Sequence, residues 1–288
     1  MPWPRLHYNY SMKDAHARAL KPDLDTRYQQ LIKRIQQLPP VGSRPLTVAG
    51  RVAGWITAKA TSHLEGLPGI HIGDEAVHIT AALPARLPLD AVLAQLAAAL
   101  KDTGCLRGWR NELLDVYGEG RRLACMERAA MRPLGLLTKA VHLNAWSPDG
   151  RMWVARRALD KSTDPGMWDT LVGGLAGAGE NLDTALLRES YEEAGLSAAD
   201  IQNRSATRII LRMHRRLPEG YQVEDVLVSD CVLDDSVTPK NMDGEVSEVQ
   251  LVTIAELWAM VEDGAFTREA ELAILDGLKT RMQQGLLL

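Results

Sequence analysis

The sequence predicts an α/β protein: an α/β/α sandwich in its second half, preceded by a smaller α+β domain. Three observations carry this. From Leu136 onward, extended stretches of alternating or continuous apolar character are interleaved with helical patterns. Strands lying between two helical layers make a sandwich. Ahead of Leu136 there is one strong amphipathic helix, Leu89–Lys101, among short extended pieces. The length, 288 residues, exceeds what one minimal domain needs. The expected division is a smaller domain over residues 1–130 and a larger one over 131–288.

In chain order, residues 1–22 are polar and proline-containing and read as an arm. Residues 23–38 carry Leu31, Ile32, Ile35 and Leu38 at helical spacing, and Pro39-Pro40 stops the helix. Leu46–Ile56 alternates loosely and is expected to be one strand. Turn glycines precede the alternating Glu75–Ile79. Leu89–Lys101 begins with Asp90 in its first turn. Trp109–Tyr117 and Arg122–Glu127 read as extended. His63, His71 and His78 are scattered and read as surface or satisfied polar residues.

In the second half, Leu136–Trp146 reads as a strand. Ser147-Pro148-Asp149-Gly150 is a turn, and Arg151–Arg157 returns as a hairpin. The loop 161–167 leads into Trp168–Gly174, expected as one strand. A loop and a helix follow. Residues 208–215, 223–233 and 245–252 read as strands, and 255–262 and 268–284 as helices.

The chemistry concentrates in Gly174–Leu196, GLAGAGENLDTALLRESYEEAGL. Glu189, Glu192 and Glu193 stand at i, i+3 and i+4, so a helix places them within ~100° of its circumference. Leu187, Tyr191 and Ala194 are left to pack on the opposite side. Three crowded carboxylates repel at neutral pH. A hard divalent cation removes that penalty, because Mg²⁺ takes carboxylate oxygens and keeps some of its water.

Gly174, Glu180, Arg188, Glu189, Glu192, Glu193, Gly195 and Leu196 stand at the spacings of the Nudix box, which this segment resembles. Ser190 departs from the pattern, where an aliphatic residue is expected. The flanks carry resemblance too. Arg156-Arg157, Lys161, Pro165-Gly166, Trp168-Asp169 and Gly173-Gly174 look like the branch that includes isopentenyl-diphosphate isomerases. More narrowly, residues 127–146, 161–169 and 241–252 are similar to thiamin-pyrophosphokinase-related Nudix hydrolases. Those proteins place an extra domain before the catalytic one.

The resemblance implies a hydrolase that cleaves a small diphosphate with activated water, thiamin diphosphate or an oxidised analogue being the narrower expectation. It implies Glu189, Glu192 and Glu193 as ligands for Mg²⁺ or Mn²⁺, one of them doubling as base. Glu245 is a second ligand or base. Arg188 orients a glutamate through its guanidinium fork. Arg156, Arg157 and Lys161 would hold phosphate oxygens. Trp168 would stack on a ring, and Gly173 and Gly174 would let backbone approach the phosphates. Three alternatives stand beside it: an isomerase of the isopentenyl-diphosphate type, a nucleotide-handling Nudix enzyme, and a non-enzymatic binding module.

Composition bounds the rest. Hydrophobic content of 46% with 24% charged residues is ordinary for a globular chain. A net charge of −4 argues against long nucleic acid and anionic membrane as partners. The three cysteines form no CxxC pair, so neither a zinc site nor a disulfide framework is implied. No signal-like segment or membrane span is read, so a cytoplasmic protein is expected. A homodimer is a further expectation.

Overall fold

The computed structural model describes residues 23–83 and 86–286; the expected N-terminal arm lies outside them. A first helix, α1, spans residues 23–35. It stops earlier than its apolar pattern suggests. Leu38 precedes proline and is biased away from helix, and Gln36 instead bridges to His214.

The expected strand over Leu46–Ile56 is a hairpin, β1 (Arg44–Val48) and β2 (Arg51–Ile56). Ala49 and Gly50 turn it, with φ of 48° and 76°. Two successive positive φ values match the right-handed twist of a tight hairpin. Alanine seldom adopts one, so the turn left little trace in the pattern. A short helix α2 (Ala58–Thr61) follows, then β3 (Ile70–Ile72) and β4 (Val77–Ile79). The four strands form a sheet in the order β2-β1-β4-β3. Helix α3 (Leu89–Asp102) buries Val92, Leu93, Leu96 and Leu100. The hairpin β5 (Leu113–Gly118) and β6 (Arg121–Glu127) encloses the same core with Val116 and Met126.

Strands β7 (Leu137–Trp146), β8 (Met152–Arg157), β11 (Arg208–Leu217), β12 (Gly220–Val232) and β13 (Val246–Val252) form the larger sheet, ordered β11-β12-β7-β8-β13. The expected single strand through Trp168–Gly174 is two. β9 (Trp168–Thr170) pairs with β8, while β10 (Val172–Leu175) pairs with β7. Leu171, fully buried, sits where the chain crosses between them. β8 meets β7 only at Ala145 and Trp146, which frees the edge of β7 at Ala140–Leu143 for β10.

Helix α4 (Leu182–Ala194) covers one face of this sheet, burying Ala185, Leu186 and Ala194 against Val141, Leu143 and Leu227. Helices α1, α5 (Ile254–Glu262) and α6 (Arg268–Gln283) cover the other, over Trp146, Val226 and Val228. The α/β/α layering follows. Strand alternation sends odd-numbered residues of β7 to the α4 side and even-numbered ones to the α6 side.

The joint between the sheets is close-packed. A Cβ on Gly54 would come 2.6 Å from the Gly135 carbonyl oxygen, and one on Gly135 (φ 57°) 2.5 Å from that of Trp55. On the other side Tyr221 N donates to the Arg132 carbonyl at 2.8 Å. Residues 132–135 are thus clamped between β2 and β12.

Candidate active site

The acids lie on α4, which is capped at both ends. Asn181 accepts from Thr184 N, and Gly195 ends the helix at φ 63°. A left-handed terminus is where glycine is favoured. Glu189 and Glu193 point inward; Glu192 is half-exposed. The inward face differs from the expected one. Tyr191 is 58% exposed, whereas Ser190 is fully buried. The Ser190 hydroxyl has no partner.

Arg188 holds the group together. Its guanidinium donates to both oxygens of Glu180 at 3.0 and 2.9 Å, to Glu189 at 2.8 Å and to Glu192 at 3.1 Å. It also reaches the Leu175 carbonyl at 3.1 Å. Hydrogen bonding to Glu180 raises the Arg188 pKa and lowers that of Glu180. Burial pushes the Glu189 carboxyl up despite Arg188. Burial, then the charge of Glu189, pushes Glu193 well above the usual carboxylate range.

The glycines of β10 use the period of two. Gly174 faces α4, where a Cβ would fall 2.0 Å from the Glu189 carboxyl carbon. Gly173 faces the other way, where a Cβ would meet the His142 ring at 3.0 Å. Its N–H donates to Glu193 Oε2 at 2.8 Å. The backbone of β10 therefore separates the acids from a cavity of about 330 Å³, lined by both glycines.

That cavity has a cationic wall and an acidic floor. Arg157 and Lys161 line it, and so does Glu245. Arg157 donates to Asp169 at 3.1 Å, and Lys161 to Glu245. Burial works against the Glu245 charge, but Lys161 outweighs it and lowers the pKa. Arg156 and Trp168 are not brought to the cavity. Along β8, Arg156 alternates outward to the Gly166 carbonyl and Glu248. Its guanidinium lies 5.8 Å from the Trp168 ring, which packs on the α6-side core.

Several lining residues carried no motif. His142, Gln222, Glu224 and Glu269 form the floor. In the sequence, Gln222 and Glu224 stand among other polar residues of β12, Asp225, Ser229 and Asp230, so nothing local singled them out. Glu224 accepts from Thr138 Oγ1 at 2.7 Å. Gln222 donates to Glu224 at 3.1 Å and to Glu269 at 2.8 Å. Burial, then the charge of Glu269, raises Glu224 to about 7. Burial lowers the His142 pKa, so its ring is neutral. His142 Nε2 and Gln222 Oε1 are buried without partners. Arg110, Arg128 and Arg132, from ahead of β7, line it too. A larger hollow, about 460 Å³, opens beside Tyr117, Lys139 and Asn181; none of Glu189, Glu192 or Glu193 lines either space.

As to a metal, among the described residues no three His, Cys, Asp or Glu side chains already form a coordination shell. Arg188 supplies the positive charge between Glu189 and Glu192 instead. The donor set nevertheless fits a hard divalent cation: it is all carboxylate oxygen, and its two buried members are strained toward protonation by burial and mutual repulsion. Glu189, Glu192 and Glu193 are the residues that would hold it.

Comparison with known proteins agrees with this geometry. The NUDIX domain profile matches residues 136–272, and a domain of unknown function, DUF4743, matches 27–138. Nudix hydrolase 20, chloroplastic, of Arabidopsis thaliana is 29% identical over 251 residues, covering 81% of this chain and 67% of that protein. The chain spans about two-thirds of the length of that relative. An isopentenyl-diphosphate Delta-isomerase of Kocuria rhizophila is 30% identical over 121 residues, covering 42% of this chain and 64% of that protein. The uncharacterized Nudix hydrolase lmo0368 of Listeria monocytogenes is 30% identical over 154 residues, covering 53% of this chain and 86% of that protein. With the box on α4, the glycine-lined strand beside it and these relatives, the chain belongs to the Nudix hydrolase family.

Proposed function

We propose that this chain is a metal-dependent hydrolase that cleaves the phosphoanhydride bond of a small diphosphate with activated water. The observation that carries it is the pair Glu189 and Glu193, buried behind Gly173 and Gly174 at the edge of a cation-walled cavity. Glu189, Glu192 and Glu193 would hold a divalent ion, which would supply charge against the anionic phosphate and acidify water. Arg157 and Lys161 bind phosphate oxygens from the other side. In this reading Glu245, which accepts from Lys161, takes the proton.

Thiamin diphosphate or an oxidised analogue is the substrate we propose within this class. The support is the floor: Gln222 Oε1 and Glu224 offer buried acceptors to a ring amino group such as the one on the thiamin pyrimidine. The isomerase reading is disfavoured, since none of Cys105, Cys125 and Cys231 lines the cavity. Cys231 is buried under α4, its thiol pushed up to about 11 by burial.

A panel of diphosphates with Mg²⁺ and with Mn²⁺, reading phosphate release, tests the activity. Glu193→Gln keeps the volume and is expected to lower kcat at least ~100-fold with an unchanged circular dichroism spectrum. Undiminished turnover by that variant would overturn the mechanism.

A further inference from the structure

The region ahead of β7 builds one wall of the cavity, and the details of that wall point to a binding role. Arg110 and Arg128 both line the cavity and both are exposed, yet their backbones are held rigidly. One buried carboxylate does this. Glu127, 3% exposed, accepts from Arg110 N at 2.8 Å and from Ala129 N at 3.3 Å. Arg128 N in turn donates to the Glu112 carbonyl at 2.8 Å. Asn111 stands between at φ 57°, a conformation unusual for a residue other than glycine. Its side chain accepts from Trp109 Nε1 at 2.8 Å. Such fixed backbone beside exposed guanidinium groups is what a preorganised anion site requires.

The side chains reach across the gap. Arg110 donates to Ser162 of the β8–β9 loop, and no carboxylate among the described residues pairs with it. Four of its five donors therefore stay available. Arg128 is held by Glu112 at 2.7 Å. Glu224 and Glu245 line the same cavity. Arg157 and Lys161 line it as well, Lys161 being the neighbour of Ser162.

We propose that Arg110 and Arg128 are substrate-binding residues, which grip the diphosphate together with Arg157 and Lys161. The N-terminal region is thereby part of the binding site. The inference rests on the cavity being the diphosphate site of the proposed hydrolase, but it does not need turnover. Two guanidinium groups give forked hydrogen bonds to phosphate oxygens that a lysine pair does not reproduce.

The test titrates the full-length chain calorimetrically with inorganic pyrophosphate, without metal. The double variant Arg110→Ala with Arg128→Ala is expected to weaken binding at least ~10-fold. Arg121→Ala, on the exposed end of the β5–β6 hairpin, is expected to match the wild type. Unchanged thermal midpoints establish that the variants fold. Where a turnover assay exists, the double variant raises KM more than it lowers kcat, and Arg110→Lys recovers part of the loss. Binding by the double variant within twofold of wild type, or no binding by the wild type, would overturn the proposal. Pyrophosphate binding that depends on Arg110 in a protein that hydrolyses nothing would sink the hydrolase reading alone.

Discussion

Gly174 lacks a side chain because Glu189 already fills the space where one would be. The obstructing atoms are the far end of a flexible side chain, so Gly174→Ala is expected to fold normally while displacing that carboxylate. Calorimetry should then show Mg²⁺ affinity lowered ~10-fold or more. Ser190 offers the opposite case. Its hydroxyl is buried on the inner face of α4 and bonds nothing, which costs free energy without return. Ser190→Ala is expected to stabilise the protein by ~1 kcal/mol, read as a higher urea midpoint with an unchanged slope. The position was visible in the sequence as a break in the box pattern. That the face runs through Ser190 and leaves Tyr191 in solvent was not. Helical spacing says which residues share a side, but which side is covered depends on the sheet beneath it.

At the scale of elements, α4 was legible almost whole. The acid spacing within it and Gly195 after it are local signals, and the structure has each in place; the cap at Asn181 was found only in the structure. Gly195→Ala would strain a left-handed residue and bring a Cβ 3.0 Å from the Lys240 carbonyl. A loss of about 1–2 kcal/mol in denaturant unfolding is expected. Strands β9 and β10 were not separable in sequence, because their break reflects a change of partner strand rather than any turn residue. The polar floor on β12 was equally hidden. Glu224 lies in a strand buried along nearly its whole length, with Gln222, Thr138 and Glu269 against it and Arg128 and Arg132 nearby. Its raised pKa fixes a sign. The folded state holds this proton up to about 7, whereas the unfolded chain releases it nearer 4.5. The associated stability is present below the lower value and lost as pH rises through the higher one. Thermal midpoints of the wild type and Glu224→Gln should therefore diverge between pH 5 and pH 8, the variant gaining by several degrees at the alkaline end. Parallel curves would show that Glu224 is ionised throughout.

Across the whole molecule, the layers were readable and the company they keep was not. Periodicity announced the sandwich, but nothing local announced that α1 would close its far layer with Leu24, Leu31 and Ile35. Nor did any motif mark Arg110 and Arg128, because their neighbours in the cavity are distant in sequence. The joint at Gly54 and Gly135 has a mechanical consequence for that arrangement. Two bare backbones touch there, with Arg132 a few residues away and its carbonyl tied to β12. Such a seam acts as a fulcrum: one methyl group wedged into it tilts the arginine-bearing wall as a lever arm, and the gape at the far end widens. Gly54→Ala should accordingly loosen the grip on pyrophosphate without touching any residue that meets it.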